Sequence, residues 1–173
     1  EDIDMITLGL SEILVGTASP NGTMPQESAM KKLGKTYKDT AKLSQETSEV
    51  TEHYEEGRAA PEVRKKSKKL PKLTFSIMDA DIDVLVAYVG GTKVNKSGSS
   101  KTKWAFDGSE EVESKAILVK SEQGLFFEIP NADIEAVINA DMSAKGIFLV
   151  EFTVTPLAVK DGKALRAYDP KEA

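Results

Sequence analysis

Between residues 72 and 91, KLTFSIMDADIDVLVAYVGG, the apolar spacing changes from a strand period to a helical one, so the stretch predicts a strand running into a helix. Leu73, Phe75 and Ile77 alternate with Lys72, Thr74 and Ser76, as in a strand buried on one face. Asp79 then offers a carboxylate to the free amides of a helix start, and Ile82, Leu85, Val86 and Val89 share one helical side. Gly90 and Gly91 end the helix, since glycine takes the left-handed C-terminal conformation without steric cost. Val84 and Tyr88 extend the apolar surface to a second side, which implies burial there as well, against a neighbouring subunit.

The same patterning predicts mostly strands elsewhere. Residues 6–15 alternate until the pattern slips near Ser11 and Glu12, a strand with a bulge or break. The run ASPNGTMPQES is a loop with a tight turn at Asn21-Gly22, and residues 30–35 read as one helical turn. Residues 114–120 and 125–129 form a hairpin around Gly124, closed by Pro130. Trp104 and Phe106 are expected in the core. Residues 133–142 fit a strand better than a helix, and GIFLVEFTV at 146–154 is the clearest strand of all. The tail from Lys160 is polar. Residues 91–103, rich in glycine, serine and lysine, read as a flexible surface loop.

Residues 36–54 are extended but polar on both faces, with Leu43 and Val50 the only aliphatic side chains larger than alanine. They read either as an exposed tether or as strands that line a wet surface or pair with another chain. The segment that follows, residues 55–71, reads as a long loop or hairpin tip with split charge. Acids (Glu46, Glu49, Glu52, Glu55, Glu56 and Glu62) precede bases (Arg64, Lys65, Lys66, Lys68 and Lys69). A solvated loop, a nucleic-acid patch, and an acidic strand meeting the basic loop of the next subunit are all consistent with that order.

Composition narrows the field. A chain of 173 residues is long enough for one domain with a real core, and no apolar run approaches the ~20 residues a membrane helix needs. The start, EDIDMITLGL, is acidic where a secretory signal is basic, which gives no expectation of export by that route. With no cysteine, disulfides, thiolate metal sites and cysteine nucleophiles are excluded. A net charge of -5 argues against the whole surface binding nucleic acid.

Catalytic chemistry is hard to find. His53 is the sole histidine and lies in the polar stretch, away from any apolar pocket signal. Asp79, Asp81 and Asp83 have the spacing that opens a calcium loop, but Val84 and Gly90 stand where that loop needs glycine and glutamate, so dipole-complementing aspartates are the better reading. No nucleophile elbow or phosphate loop is present, and the expectation is a non-enzyme without cofactor or metal.

Taken in order, TYKDTAKLSQETSEVTEHYEEG, the charged proline-bearing loop, LTFSIMDADIDVLVAYVGG and IPNADIEAVINADMSAKGIFLVEFTVTPL resemble the major tail tube proteins of long-tailed bacteriophages and prophages. The resemblance spans roughly residues 6–156. It implies a mainly β (α+β) domain over residues 1–173, in which two packed antiparallel sheets form a sandwich or partial barrel. A helix at about residues 79–89 would flank it, and a long loop would reach a neighbouring subunit. It also implies hexameric rings stacked into a tube that passes DNA, located in the virion tail, assembled in the bacterial cytoplasm, and joined to other tail proteins without a membrane anchor. Carried onto this chain, Glu46, Glu49, Glu52, Glu55, Glu56, Arg64, Lys65, Lys66, Lys68, Lys69, Val84 and Tyr88 become inter-subunit candidates. Thr74, Ser76, Asp133, Glu135, Asp141 and Glu151 become candidates for a lumen or polar face. A wall of neutral or acidic side chains lets phosphates slide where a basic one would hold them. A secretion tube of the same fold, a monomeric ligand-binding or adhesion β-sandwich, and a nucleic-acid binder acting through its basic loop are the alternatives.

Overall fold

One strand belongs to both layers of this protein, and the architecture follows from it. The computed structural model describes residues 5–108 and 112–172; the acidic start at residues 1–4 lies outside them. The first strands are β1 (Glu12–Thr17), β2 (Lys31–Lys32), β3 (Lys42–Ser44), β4 (Glu49–His53), β5 (Val63–Ser67) and β6 (Lys72–Ile77). A short helix follows, an α-turn α1 (Ile82–Val84) that widens into a π-helical turn (Leu85–Val89). The remaining strands are β7 (Thr92–Val94), β8 (Lys103–Ala105), β9 (Lys115–Lys120), β10 (Phe126–Ala140), β11 (Phe148–Pro156) and β12 (Arg166–Tyr168). Eight of them form one curled sheet in the order β2-β1-β9-β10-β11-β6-β3, with β12 also on β10. Every pairing is antiparallel.

The first part of β10 lies between β9 and β12, and its second part between Ala132 and Ala140 runs beside β11. The register with β9 shifts between Ile129 and Ala132. Pro130 sits in that shift, fully buried. It has no N–H to give a ladder, so a bulge is the position inside a strand that tolerates it. Sequence reasoning expected Pro130 to end a strand; instead the strand turns there from one layer into the other. The alternation on either side is otherwise as expected, although the strand expected over residues 133–142 ends at Ala140.

The two outer strands of the curl, β2 and β3, are neighbours in sequence, and the segment between them binds both ends of the sheet. Leu33 N–H donates to Ile13 O in β1 (3.0 Å), while Tyr37 N–H donates to Ser76 O (2.8 Å) and Met78 N–H to Lys35 O (2.9 Å) at the end of β6. Residues 31–44 thus act as a strap across the opening of the partial barrel. The helical turn expected at residues 30–35 is absent, replaced by a single 3-10 turn at Glu27–Ala29 and the short β2. The strap's amides are satisfied by two strands, which a local helix would forgo.

Ile13 and Ile117 from one layer meet Phe75, Phe152, Val150 and Ile134 from the other in a single core. Phe75 stacks on Phe152 (5.0 Å between ring centres), and Tyr88 approaches Phe152 edge-on (5.4 Å). The helix therefore serves the core with Val84, Leu85, Tyr88 and Val89, and leaves Ile82 and Val86 half-exposed. Tyr88 is thus buried within its own chain against Phe152, and Val84 packs on the same core while staying half-exposed. Edge-on contact with Phe152 adds to Tyr88 about 0.5–1.5 kcal/mol beyond its area burial, which chooses the face that carries the ring. The cap is Asp81, whose carboxylate accepts from Val84 N–H (3.0 Å), while Asp79 accepts from Lys35 N–H (2.7 Å). Gly90, at φ 111, closes the helix with its N–H on Leu85 O.

Two further expectations change. Residues 91–103 include β7 and lead into β8, which form a two-stranded hairpin. Phe106 stays exposed, stacked on a half-buried Trp104 (5.3 Å) whose indole N–H donates to Gly90 O (2.8 Å). The hairpin holds these rings beside the helix terminus, away from the core. The Gly124 turn forms as expected, and at φ 94 a Cβ there would meet Thr7 Cα at 2.5 Å.

Two outcomes test this packing. Phe152→Ala should lower stability by about 3–5 kcal/mol, read as a shift in the urea midpoint with an unchanged denaturant slope. Burial raises the Tyr88 hydroxyl above its usual pKa. The unfolded chain therefore loses that proton first, and the associated stability is present below the ordinary tyrosine pKa and is lost as pH climbs through the raised one. Tyr88→Phe should accordingly lose less thermal stability than the wild type as pH rises above about 10.

Candidate functional site

The outer faces of the two layers differ in kind. On the β1–β9 layer the outward side chains Leu14 and Leu118 are apolar, and residues 24–30 cover them with Met24 and Met30. On the other layer, β3, β6, β11 and the second part of β10 present a polar face. Cross-strand register sets Lys42 opposite Thr74, Thr74 opposite Thr153, and Thr153 opposite Glu135. One step along lie Ser76 opposite Glu151 and Asp133 opposite Thr155. Thus Thr74, Ser76, Asp133, Glu135 and Glu151, widely separated in sequence, share one surface because each is the outward member of a period-two strand.

Within that surface the roles separate. Asp133, Glu135 and Glu151 are exposed, and Glu151 accepts a hydrogen bond from Asn139 Nδ2 (2.7 Å). Ser76 is covered: its N–H donates to Thr40 Oγ1 (3.1 Å), and residues 37–40 lie over it. Asp141 lies beyond the last residue of β10, in the turn before β11. There its carboxylate accepts Ser143 N–H (3.0 Å), and that bond holds its pKa below the usual aspartate value. It does not belong to the sheet face. Pairing across the sheet identifies Lys42, Thr153 and Thr155 as further members, which the sequence carried in its alternation but not in any motif.

The β4–β5 hairpin stands apart as its own two-stranded sheet. Only Glu52 among its strand residues is partly buried. A hairpin with no third strand is marginal in water, so its order depends on its own cross-strand contacts or on something that covers it. Its split charge folds onto itself. Arg64 meets Glu52 (2.9 Å), Lys69 meets Glu46 (3.0 Å) and Glu49 (3.3 Å), and Arg58 meets Glu55 (3.1 Å). Hydrogen bonding and charge from Lys69 lower the pKa of Glu46, and Glu46 and Glu49 raise that of Lys69. These exposed pairs set strand register more than they add stability. Glu56, Lys65, Lys66 and Lys68 have no ion pair among the described residues.

One surface was missed by sequence reasoning. Past Ala136 the strands of β10 and β11 run beyond the core, leaving Val137, Ile138 and Met142 at 47%, 40% and 85% exposure. The alternation of Ile138, Ala140 and Met142 with polar neighbours looks like core in the sequence, because pattern alone does not tell where the opposing layer ends.

The three aspartates of the calcium-like spacing go to different partners: Lys35 N–H, the helix cap, and Lys93 Nζ (2.9 Å). Among the described residues no three His, Asp or Glu side chains gather as a metal site. No family profile and no curated protein matches the chain. Fold and surface define the class: a β-rich curled sandwich with one bare polar sheet face and a projecting charged hairpin.

A double-mutant cycle across Glu52 and Arg64 should return a coupling of about 0.2–1 kcal/mol that shrinks with added salt. A coupling near zero at low salt would mean that this pair does not hold the hairpin in register.

Proposed function

We propose that this chain is a structural protein of the tail tube of a long-tailed bacteriophage or prophage, which assembles with its own copies into stacked hexameric rings around a channel for DNA. The observation that supports this reading is the bare polar face built from Thr74, Thr153, Thr155, Asp133, Glu135 and Glu151 on three adjacent strands, β6, β11 and β10. A sheet face of that kind, turned inward in a ring, would give a smooth wall of hydroxyls and carboxylates. Lys42 and Lys72 sit at its β3 edge; on the rest of the face phosphates would be repelled or ignored, so a duplex is not held there. The projecting β4–β5 hairpin and the exposed apolar end at Val137, Ile138 and Met142 supply contacts for neighbouring copies and other tail proteins. On this reading the protein acts in the virion tail, after assembly in the bacterial cytoplasm, and performs no catalysis.

Negative-stain microscopy of concentrated protein should display rings or tubes; a monomer by light scattering at every concentration would sink the proposal. Changing Lys65, Lys66 and Lys68 to Glu should prevent assembly. Because none has an ion pair among the described residues, monomer stability should stay within about 0.5 kcal/mol. Glu135→Lys combined with Glu151→Lys tests the wall itself. Tubes of that variant should retain DNA in sedimentation at low salt and release it as salt rises, whereas wild-type tubes should retain little throughout.

A further inference from the structure

Where β1 begins and β9 ends, the gap between the layers opens as a cavity of about 650 Å³, a size in the range of small-molecule sites. Its apolar lining comes from several elements of the core: Leu10 before β1, Leu43 in β3, Val119 in β9 and Phe127 in β10. All four are only half-buried, so solvent reaches apolar surface that continues into the core through Leu73. The strap contributes the opposite character. Lys32, Lys35, Lys38 and Lys42 all line the opening. None of their ammonium groups has an ion pair among the described residues.

Three acids also line the cavity, Glu12, Asp39 and Glu122. Glu12 is already engaged by Lys120 (3.3 Å), so Asp39 and Glu122 alone face the four strap lysines. In a chain of net charge -5, this mouth carries four lysines against three acids, one of them already paired. The strap is also held in shape there. Asp39 is the one described non-glycine residue with positive φ, at 63, and Thr40 Oγ1 donates to Tyr37 O (2.7 Å) across that turn. Such a conformation costs energy for a residue with a Cβ and persists where the surroundings fix it.

We propose that this mouth binds a single-headed anionic amphiphile. The hydrocarbon body lies along Leu10, Leu43, Val119 and Phe127, removing their exposed surface from water. The carboxylate or phosphate head meets the ammonium groups of Lys32, Lys35 and Lys38, which suit either head because lysine recognises anions as a point charge. The inference stands on the cavity and does not depend on the tube reading.

Titration calorimetry of the intact protein with dodecanoate, below its micelle concentration, provides the test. One dodecanoate per chain is expected to bind. The Lys35→Glu, Lys38→Glu double variant should bind at least about tenfold more weakly, and the double Arg variant should keep its affinity. Near-UV circular dichroism should be the same for all three proteins, since these side chains are exposed. Absence of dodecanoate binding, equal binding of dodecanol, or indifference to lysine reversal would each overturn the proposal. So would occupation of the mouth by a peptide of residues 54–63 in place of dodecanoate, which would make it a seat for another copy of this chain.

Discussion

Everything in this molecule depends on β10 being shared by two layers. Because Pro130 cannot donate to a ladder, the register breaks around it, and a broken register lets a twisted strand turn a corner. Past the corner β10 leaves β9 and takes β11 as its partner. The rest is geometry. Ile13 and Ile117 on one side of the bend come to face Phe75 and Phe152 on the other, and the two ends of the sheet approach closely enough for residues 31–44 to join them.

That arrangement also decides which surfaces stay open. A two-layer fold has two outer faces, and this one spends its loop of methionines on the β1–β9 side only. The opposite face is covered at Ser76 by residues 37–40 and elsewhere presents a polar row, from Thr74 to Glu135 and Glu151. Charge is distributed with similar economy. Several acids and bases of the β4–β5 hairpin satisfy one another in pairs, while Lys65, Lys66 and Lys68 have no ion pair among the described residues.

Much of this was legible in the residues. Period-two alternation placed Leu73, Phe75, Ile77, Val150, Phe152 and Val154 in the core, and by the same rule placed five polar candidates on one outward face. What escaped were features set by partners distant in sequence. Tyr88 packs edge-on against Phe152, a contact that a helical wheel cannot reveal. Asp79 was read as the cap since nothing local reveals that Lys35 offers it an amide from the strap. Ser76 has the right parity but is covered by residues 37–40, and Asp141 has it too, though its strand has ended. Phe106 is an aromatic in a short hairpin outside the core, a circumstance invisible in its neighbours. Parity gives the side of a strand, whereas its extent and its cover belong to the tertiary fold.

The pairing of β1 with β9 joins Glu12 to Lys120 and so links positions more than a hundred residues apart. Contacts of that separation must close a long loop before they return any stability, which makes folding slow and defers it until most of the chain exists. By contrast the β4–β5 hairpin pairs neighbours and can form early. During synthesis the hairpin would therefore be present well before the sandwich that carries it. An unfinished chain would then carry the β4–β5 hairpin but no completed outer sheet face.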